Sequence, residues 1–182
     1  MKKIVFTAAP NKSSFTFDIT KNLVDKYWDD IEIINLYDKE YKLGFLEFED
    51  KKNISISNKV TKIQSKILES EEIIFIFPIW WWGVPAIMKN FIDNVFVSWF
   101  AFEYWKDWKK ELLSDKYWKV IATCDAPSNI YLENSDWTWI NLKTYFEKSI
   151  FWFCWIKSNW VLILWDMRLK SEEERKNILT MI

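Results

Sequence analysis

Residues 73 to 97 constrain this chain more than any other stretch: Ile73-Ile-Phe-Ile-Phe-Pro78-Ile-Trp-Trp-Trp-Gly83-Val-Pro85-Ala-Ile-Met-Lys-Asn-Phe91-Ile-Asp-Asn-Val-Phe96-Val97. Ile73 to Phe77 is an unbroken run of β-branched and aromatic residues, which suits a strand buried on both faces of a parallel sheet. Pro78 has no N–H to donate and ends the ladder. Pro85 stands where a helix begins, because the N–H it lacks would find no partner there. Behind it Ile87, Phe91 and Val95, flanked by Met88, Ile92 and Phe96, form an apolar stripe at helical spacing that packs on a sheet. The loop between them, Pro78 to Val84, therefore leaves the carboxyl end of a central strand, where open α/β sheets bind ligands. Its wall of aromatic rings suits a planar ligand. The uncharged run Ile73 to Met88 is shorter than the roughly 20 residues a membrane span needs and holds two prolines, so no span is expected.

Around this unit the pattern repeats. Lys3 to Ala8 reads as a first strand, and Pro10 to Ser14 carries it into a helix over Phe15 to Tyr27. Ser13 and Ser14 stand at that helix's start, where hydroxyls serve equally as N-caps or, with free amides and the positive dipole end, as a phosphate site. Ile31 to Asn35 is a second strand, Asp38 to Asn53 is polar and irregular, and Ser57 to Glu69 is a helix with Val60, Ile63 and Ile67 on one face. Ser98 to Tyr104, followed by a charged turn from Lys106 to Lys110, reads as a loop or short hairpin beside the ligand. Val120 to Thr123 is a fourth strand whose outgoing loop, Cys124-Asp-Ala-Pro127, falls on the same edge as Pro78 to Val84. Ile140 to Phe153 reads as a helix, Val161 to Leu164 as the last strand, and Ser171-Glu-Glu-Glu-Arg as a capped helix start. Alternating β and α with right-handed crossovers predicts a parallel sheet with helices on both faces.

At 182 residues the chain suits a single domain over 1–182. A net charge of −1 without runs of one sign recruits neither nucleic acid nor an anionic membrane. The opening Met-Lys-Lys-Ile-Val-Phe has too short an apolar region for a signal peptide, so a cytoplasmic protein is expected. Cys124 and Cys154 form no CxxC pair and are expected as reduced thiols. There is no histidine, which removes Ser-His and Cys-His nucleophiles and His-ligated metals; no metal site is expected.

One imbalance stands out: 14 Trp against 2 Gly, where a chain of this length carries roughly a dozen glycines. The tryptophans stand where glycine belongs: Trp28 just past the first helix, Trp108 after Asp107, and Trp137 and Trp139 in a Ser-Asp-x-Thr-x loop. Those are tight-turn, positive-φ positions. The pattern predicts that most of them are glycine in the protein the cell makes, the gene having been read with UGA as tryptophan where its own code assigns glycine.

Several segments together resemble the NAD(P)H quinone reductase branch of the flavodoxin-like superfamily: Pro10-x-x-x-Ser14-Phe15, Phe77 to Phe96, Phe100-Ala-Phe102, Thr123-x-Asp125-x-Pro127 and Phe151-x-Phe-Cys-x-Ile156. The resemblance covers nearly the whole chain. It implies a flavodoxin-like three-layer sandwich with a five-stranded parallel sheet in order 2-1-3-4-5, a flavin (FMN or FAD) at the sheet's carboxyl edge, NAD(P)H as co-substrate, and a homodimer whose partner helps to cover the site. By the same resemblance Ser14, Phe15 and Thr16 match the stretch at the flavin phosphate, which Ser13 adjoins as a further cofactor-binding candidate, Pro78, Ile79, Trp80 and Trp81 the loop against the isoalloxazine ring, and Ala122, Thr123, Cys124 and Asp125 the second ring-side loop. It places Gly at Trp99, Trp118, Trp152 and Trp155, takes Trp80 and Trp81 as genuine, and leaves Trp82 open. The family's usual histidine before the proline is Ala9 here, which loses a phosphate contact. With no histidine to assist proton transfer, Tyr131 is the candidate catalytic donor.

The expected activity is transfer of a hydride from NAD(P)H to flavin and of two electrons onward to a quinone-like acceptor, the cofactor carrying the chemistry. The protein would hold flat rings in a slot formed by Trp80 and Trp81, with Phe100 and Phe102 either lining it or packing the core. The alternative is a flavodoxin-type electron carrier or regulatory flavoprotein subunit, which the near-neutral charge disfavours as a carrier. A hydrolase lacks its Ser-His pair. The short length leans to FMN over FAD.

Overall fold

The computed structural model describes residues 1–47, 56–104, 109–128, 143–154 and 156–182. In chain order its elements are β1 (Lys3–Thr7), α1 (Phe15–Tyr27), β2 (Ile31–Asn35), α2 (Asn58–Glu69), β3 (Glu72–Pro78), α3 (Ala86–Val95), β4 (Phe102–Tyr104), β5 (Lys109–Glu111), β6 (Tyr117–Thr123), a π-wound segment α4 (Tyr145–Phe151), β7 (Lys157–Leu164) and α5 (Glu172–Met181). Five strands pair in parallel in the order β2-β1-β3-β6-β7. Counting only sheet strands this is the expected 2-1-3-4-5, the numbering shifted because β4 and β5 form a separate antiparallel hairpin.

Alternation along the central strands explains the three layers. Ile4, Phe6, Ile73, Phe75, Phe77 and Val120 join α2, α3 and α4 in one core, while Val5, Ile74, Ile76 and Ile121 join Phe15, Ile19 and Leu23 of α1 in the other. Phe75 is the hub of the first core, its ring centroid 5.5 to 6.2 Å from those of Phe6, Phe96, Phe146 and Phe151. Truncating it to alanine would cost about 3–5 kcal/mol. Three helices open as their sequence dictates: Ser14, Ser57 and Ser171 are the N-caps of α1, α2 and α5, and Ser171 with Glu174 forms a full capping box. Pro85 sits one residue earlier than a first-turn proline, as the extended cap of α3. No helix among the described residues is long and apolar enough to cross a membrane.

At the amino edge of the sheet, away from the ligand-side loops, the buried carboxylate of Glu72 is held between Lys3 (3.2 Å) and Lys119 (2.9 Å). Burial pushes its pKa up, but the hydrogen bonds and charges of Lys119 and Lys3 outweigh that and hold it below the usual value.

The backbone bears directly on the tryptophan imbalance. Five non-glycine residues among those described have positive φ, and four are tryptophans: Trp28 (46°), Trp81 (48°), Trp82 (60°) and Trp99 (73°). Neither glycine does. Trp28 is 77% exposed and Trp99 76% exposed, so their indoles gain little packing to offset the strain of a left-handed backbone. Trp118 is the opposite case, fully buried and stacked on Phe151 at 3.9 Å, its indole N–H without a hydrogen-bond partner among the described residues. A register shift in the β6–β7 ladder falls beside it. Trp108, Trp137, Trp139 and Trp155 lie outside the described residues, as do the first part of the helix expected over Ile140 to Phe153 and most of the turn expected over Lys106 to Lys110.

Candidate functional site

The loops leaving β1, β3 and β6 converge at the carboxyl edge. In the first, the Asn11 side-chain oxygen accepts from the amide and hydroxyl of Ser13, both at 2.8 Å. The Ser14 hydroxyl donates to the Asn11 carbonyl at 2.7 Å and accepts from the Phe17 amide at 3.3 Å. Ser14 is thus the N-cap, and the first-turn amides of Phe15 and Thr16, which have no intrahelical acceptor by helix geometry, remain for a ligand together with the dipole's positive end.

In the second loop, the Ile79 amide donates to Thr123 carbonyl oxygen at 2.8 Å, so β3 follows β6 one residue beyond Pro78. The chain then reverses over Trp80 to Gly83, whose mutual amide-to-carbonyl bonds of 3.1 and 3.0 Å enclose Trp81 and Trp82. Both central residues have positive φ, the signature of a mirror-image turn that favours Asn-Gly or Gly-Gly. Trp81 is 99% exposed. The sequence places a genuine indole there; the backbone instead groups Trp81 with Trp82, Trp28 and Trp99 as positions built for glycine.

In the third loop, the Cys124 amide donates to Leu164 carbonyl oxygen at 2.8 Å and the Met167 amide to that of Cys124 at 3.1 Å. The Asp166 carboxylate accepts from the Ser128 amide at 3.2 Å, and the hydrogen bonds from Ser128 hold its pKa low. Burial pushes the Cys124 thiol up, so it stays protonated at neutral pH. Beneath the three loops the Thr16 and Thr123 hydroxyls meet at 2.9 Å.

The result is a cleft of about 380 Å³ lined by Ser13, Ser14, Phe15, Thr16, Pro78, Ile79, Trp80, Thr123 and Asp125, with Met167, Arg168 and Arg175. A smaller hollow of about 220 Å³ shares Ile79 and Asp125 with it and adds Trp81, Trp82, Cys124 and Ala126. Of the residues singled out in the sequence, Ala122 lines neither; it is fully buried in β6 and supports the loop from below. Phe100 and Phe102 pack against the core, Phe102 edge-on to Phe153 at 4.7 Å, and line none of these spaces. Tyr131 lies outside the described residues.

A family described as having the flavodoxin-like fold matches residues 1–180. The chain belongs to this family. It is 29% identical over 144 residues to the human ribosyldihydronicotinamide dehydrogenase (quinone), an alignment covering 76% of this chain and 61% of that protein. The chain thus spans about three fifths of the length of that relative. It is 30% identical over 131 residues to an FMN-dependent NADH:quinone oxidoreductase of Caldicellulosiruptor saccharolyticus, covering 64% of each. Among solved structures it is similar to Smu.1420 from Streptococcus mutans, with a TM-score of 0.84, 28% identity, and coverage of 100% of this chain and 96% of that one.

This flavodoxin-like cleft contains groups that sequence reasoning missed. Arg175, on α5, donates from Nη2 to the Met167 carbonyl at 2.7 Å, and its guanidinium lies 5.9 Å from the Phe15 ring. Its Nε is buried without a partner among the described residues. Arg168 adds a second cation, and Asp125 is the one acid among the described residues of the lining. Across the Trp80–Gly83 turn lies an apolar hollow of about 760 Å³ that includes Lys89 and Tyr145. Burial, with a smaller push from Asp93, raises the Tyr145 pKa to about 12, so this phenol keeps its proton at neutral pH and can donate it in a hydrogen bond. Nothing in the local pattern around 145, 168 or 175 signals a site: Arg168, in the turn before α5, and Arg175, on α5, reach the cleft, and Tyr145, on α4, reaches the neighbouring hollow, only through tertiary packing.

Proposed function

We propose that the chain is an NAD(P)H dehydrogenase (quinone)-type flavin oxidoreductase, a single flavodoxin-like domain over residues 1–182. Bound flavin, FMN or FAD, would supply the chemistry, taking a hydride from NAD(P)H and passing two electrons to a quinone-like acceptor. The observation that carries this reading is that one cleft has two ends of different chemistry: hydroxyls, first-turn amides and two arginines at one end, and the Ile79–Trp82 turn facing Cys124–Ala126 at the other.

The residues present fit a flavin phosphate. Ser13, Ser14, Phe15 and Thr16 offer hydroxyls and backbone N–H groups, and the Nε of Arg175, without a partner among the described residues, is a donor suited to an oxyanion. Arg175 and Arg168 together supply the positive charge that Ala9 lacks. Pro78, Ile79, Trp80 and Trp81 bound the ring site on one side and Thr123, Cys124 and Asp125 on the other, with Ala122 supporting the second loop from below. The protonated Cys124 thiol presents no thiolate beside the ring site. Tyr131 is the proposed proton donor to the acceptor.

Two further features belong to the same reading. The wide apolar hollow at the Trp80–Ala86 turn supports a homodimer in which a second subunit covers this edge. The buried, reduced Cys124 and Cys154 suit the cytoplasm.

Visible absorbance during anaerobic addition of NADH or NADPH tests the proposal. Rapid bleaching of a yellow cofactor, reversed by a quinone, is the expected result. Bound flavin that bleaches slowly or not at all transfers the chain to the electron-carrier or regulatory class. Absence of flavin binding removes the reading altogether.

A further inference from the structure

The carboxyl-terminal helix is fastened to the body unusually lightly. No residue of α5 is fully buried. Ile178, Leu179 and Ile182 rest only partly covered against the α1 side of the core. Among the described residues, α1 ties it through Asn22 Nδ2 to Leu179 carbonyl oxygen at 2.9 Å and Lys26 Nζ to that of Ile182 at 2.9 Å, and Arg175 Nη2 binds that of Met167, in the turn leading into α5, at 2.7 Å. Beside these ties a space of about 420 Å³ remains between α1 and α5. Phe15 and Arg175 line both this space and the ligand cleft, so Arg175 is the wall that separates them.

Arg175 is therefore the one residue of α5 that reaches the cleft, and it reaches it incompletely satisfied. Its Nε is desolvated and has no acceptor among the described residues. A desolvated guanidinium N–H without a partner disfavours the docked arrangement, and an oxyanion at the Ser14 end would remove that penalty. A ligand that interacts better with the docked than the undocked helix must shift the equilibrium towards docking, and docking must in turn strengthen binding by the same factor.

We propose that α5 is a cofactor-dependent clamp: phosphate binding in the cleft completes the hydrogen bonding of Arg175 and fastens α5 onto α1. The clamp rests on the flavin reading above but is separable from it. In the empty protein α5 opens locally while the sheet stays intact, because an element with little buried apolar surface opens at low cost.

Hydrogen exchange of the full-length protein, measured without ligand and at saturating FMN and then FAD, tests the clamp, with flavin fluorescence quenching as the independent measure of binding. The expected result is exchange over residues 172–181 slowed about tenfold or more by flavin, a typical coupling between sites, with little change in β1 and β3. Arg175→Met should abolish that protection at flavin concentrations that still saturate it, and Arg168→Met, which removes charge from the loop without touching α5, should leave it in place. Quenched flavin with unchanged exchange over 172–181 overturns the clamp while leaving the cofactor reading standing. Absent quenching in the wild type overturns the cofactor reading, and the clamp falls with it.

Discussion

The Thr16 and Thr123 hydroxyls, 107 positions apart in sequence, meet at 2.9 Å in the buried floor of the cleft. This bond ties the first turn of α1 to the end of β6, so it fixes the spacing of two of the three ligand-side loops. A buried hydroxyl left without its partner costs about 1–3 kcal/mol, whereas replacing both by groups of like shape is nearly neutral. Thr16→Val and Thr123→Val should each destabilise by that amount, and the double variant by less than their sum. Denaturant unfolding of the four proteins measures the coupling; strict additivity would show that the hydroxyls do not interact.

Trp28 and Trp99 hold left-handed backbones with largely exposed indoles. A side chain at such a φ costs roughly 1–2 kcal/mol that glycine does not incur. Trp28→Gly and Trp99→Gly are expected to stabilise the protein, each raising Tm by about 2–4 °C per kcal/mol for a chain of this size. Peptide mass spectrometry of the protein from its own cells should read glycine at 28, 81, 82 and 99. Tryptophan at all four would refute the recoding.

Glu72 gives stability a defined acid limit. Its carboxyl is held below the ordinary value of 4.5 in the folded protein, so the unfolded chain binds the proton more readily. The contribution is complete above the unfolded value and is lost as pH falls through the lower folded one. Glu72→Gln should flatten the acid limb of a stability profile. It should also destabilise at neutral pH by several kcal/mol, because Lys3 and Lys119 lose their shared counter-charge.

Tyr145 acts at the other extreme. With its pKa raised from 10.0 to about 12, the folded protein retains a proton that the unfolded chain releases earlier, so stability declines as pH rises from about 10 to about 12. Tyr145→Phe should remove that part of the alkaline decline, followed by thermal unfolding across the range. An unchanged decline would assign it to other groups.

What could be read from sequence is what is encoded locally. The run Ile73–Phe77, the prolines at 78 and 85, and the serine caps at 14, 57 and 171 each act within a turn or a strand, and the structure has β3, α3 and the capped helices there. Alternating burial then requires a covered parallel sheet, and with it the edge on which Ser14, Ile79 and Asp125 meet. Even the misplaced tryptophans were legible, because a left-handed turn demands glycine whatever surrounds it. Trp81 was the exception: its neighbours in sequence speak for an aromatic loop, and only the reversal between Trp80 and Gly83 reveals a positive φ. Arg175 and Tyr145 depended wholly on tertiary packing. Each sits on a helix that nothing local directs towards this edge, and only the seating of α5 against α1 and of α4 against β3 brings a guanidinium to the cleft and a phenol to the hollow beside it.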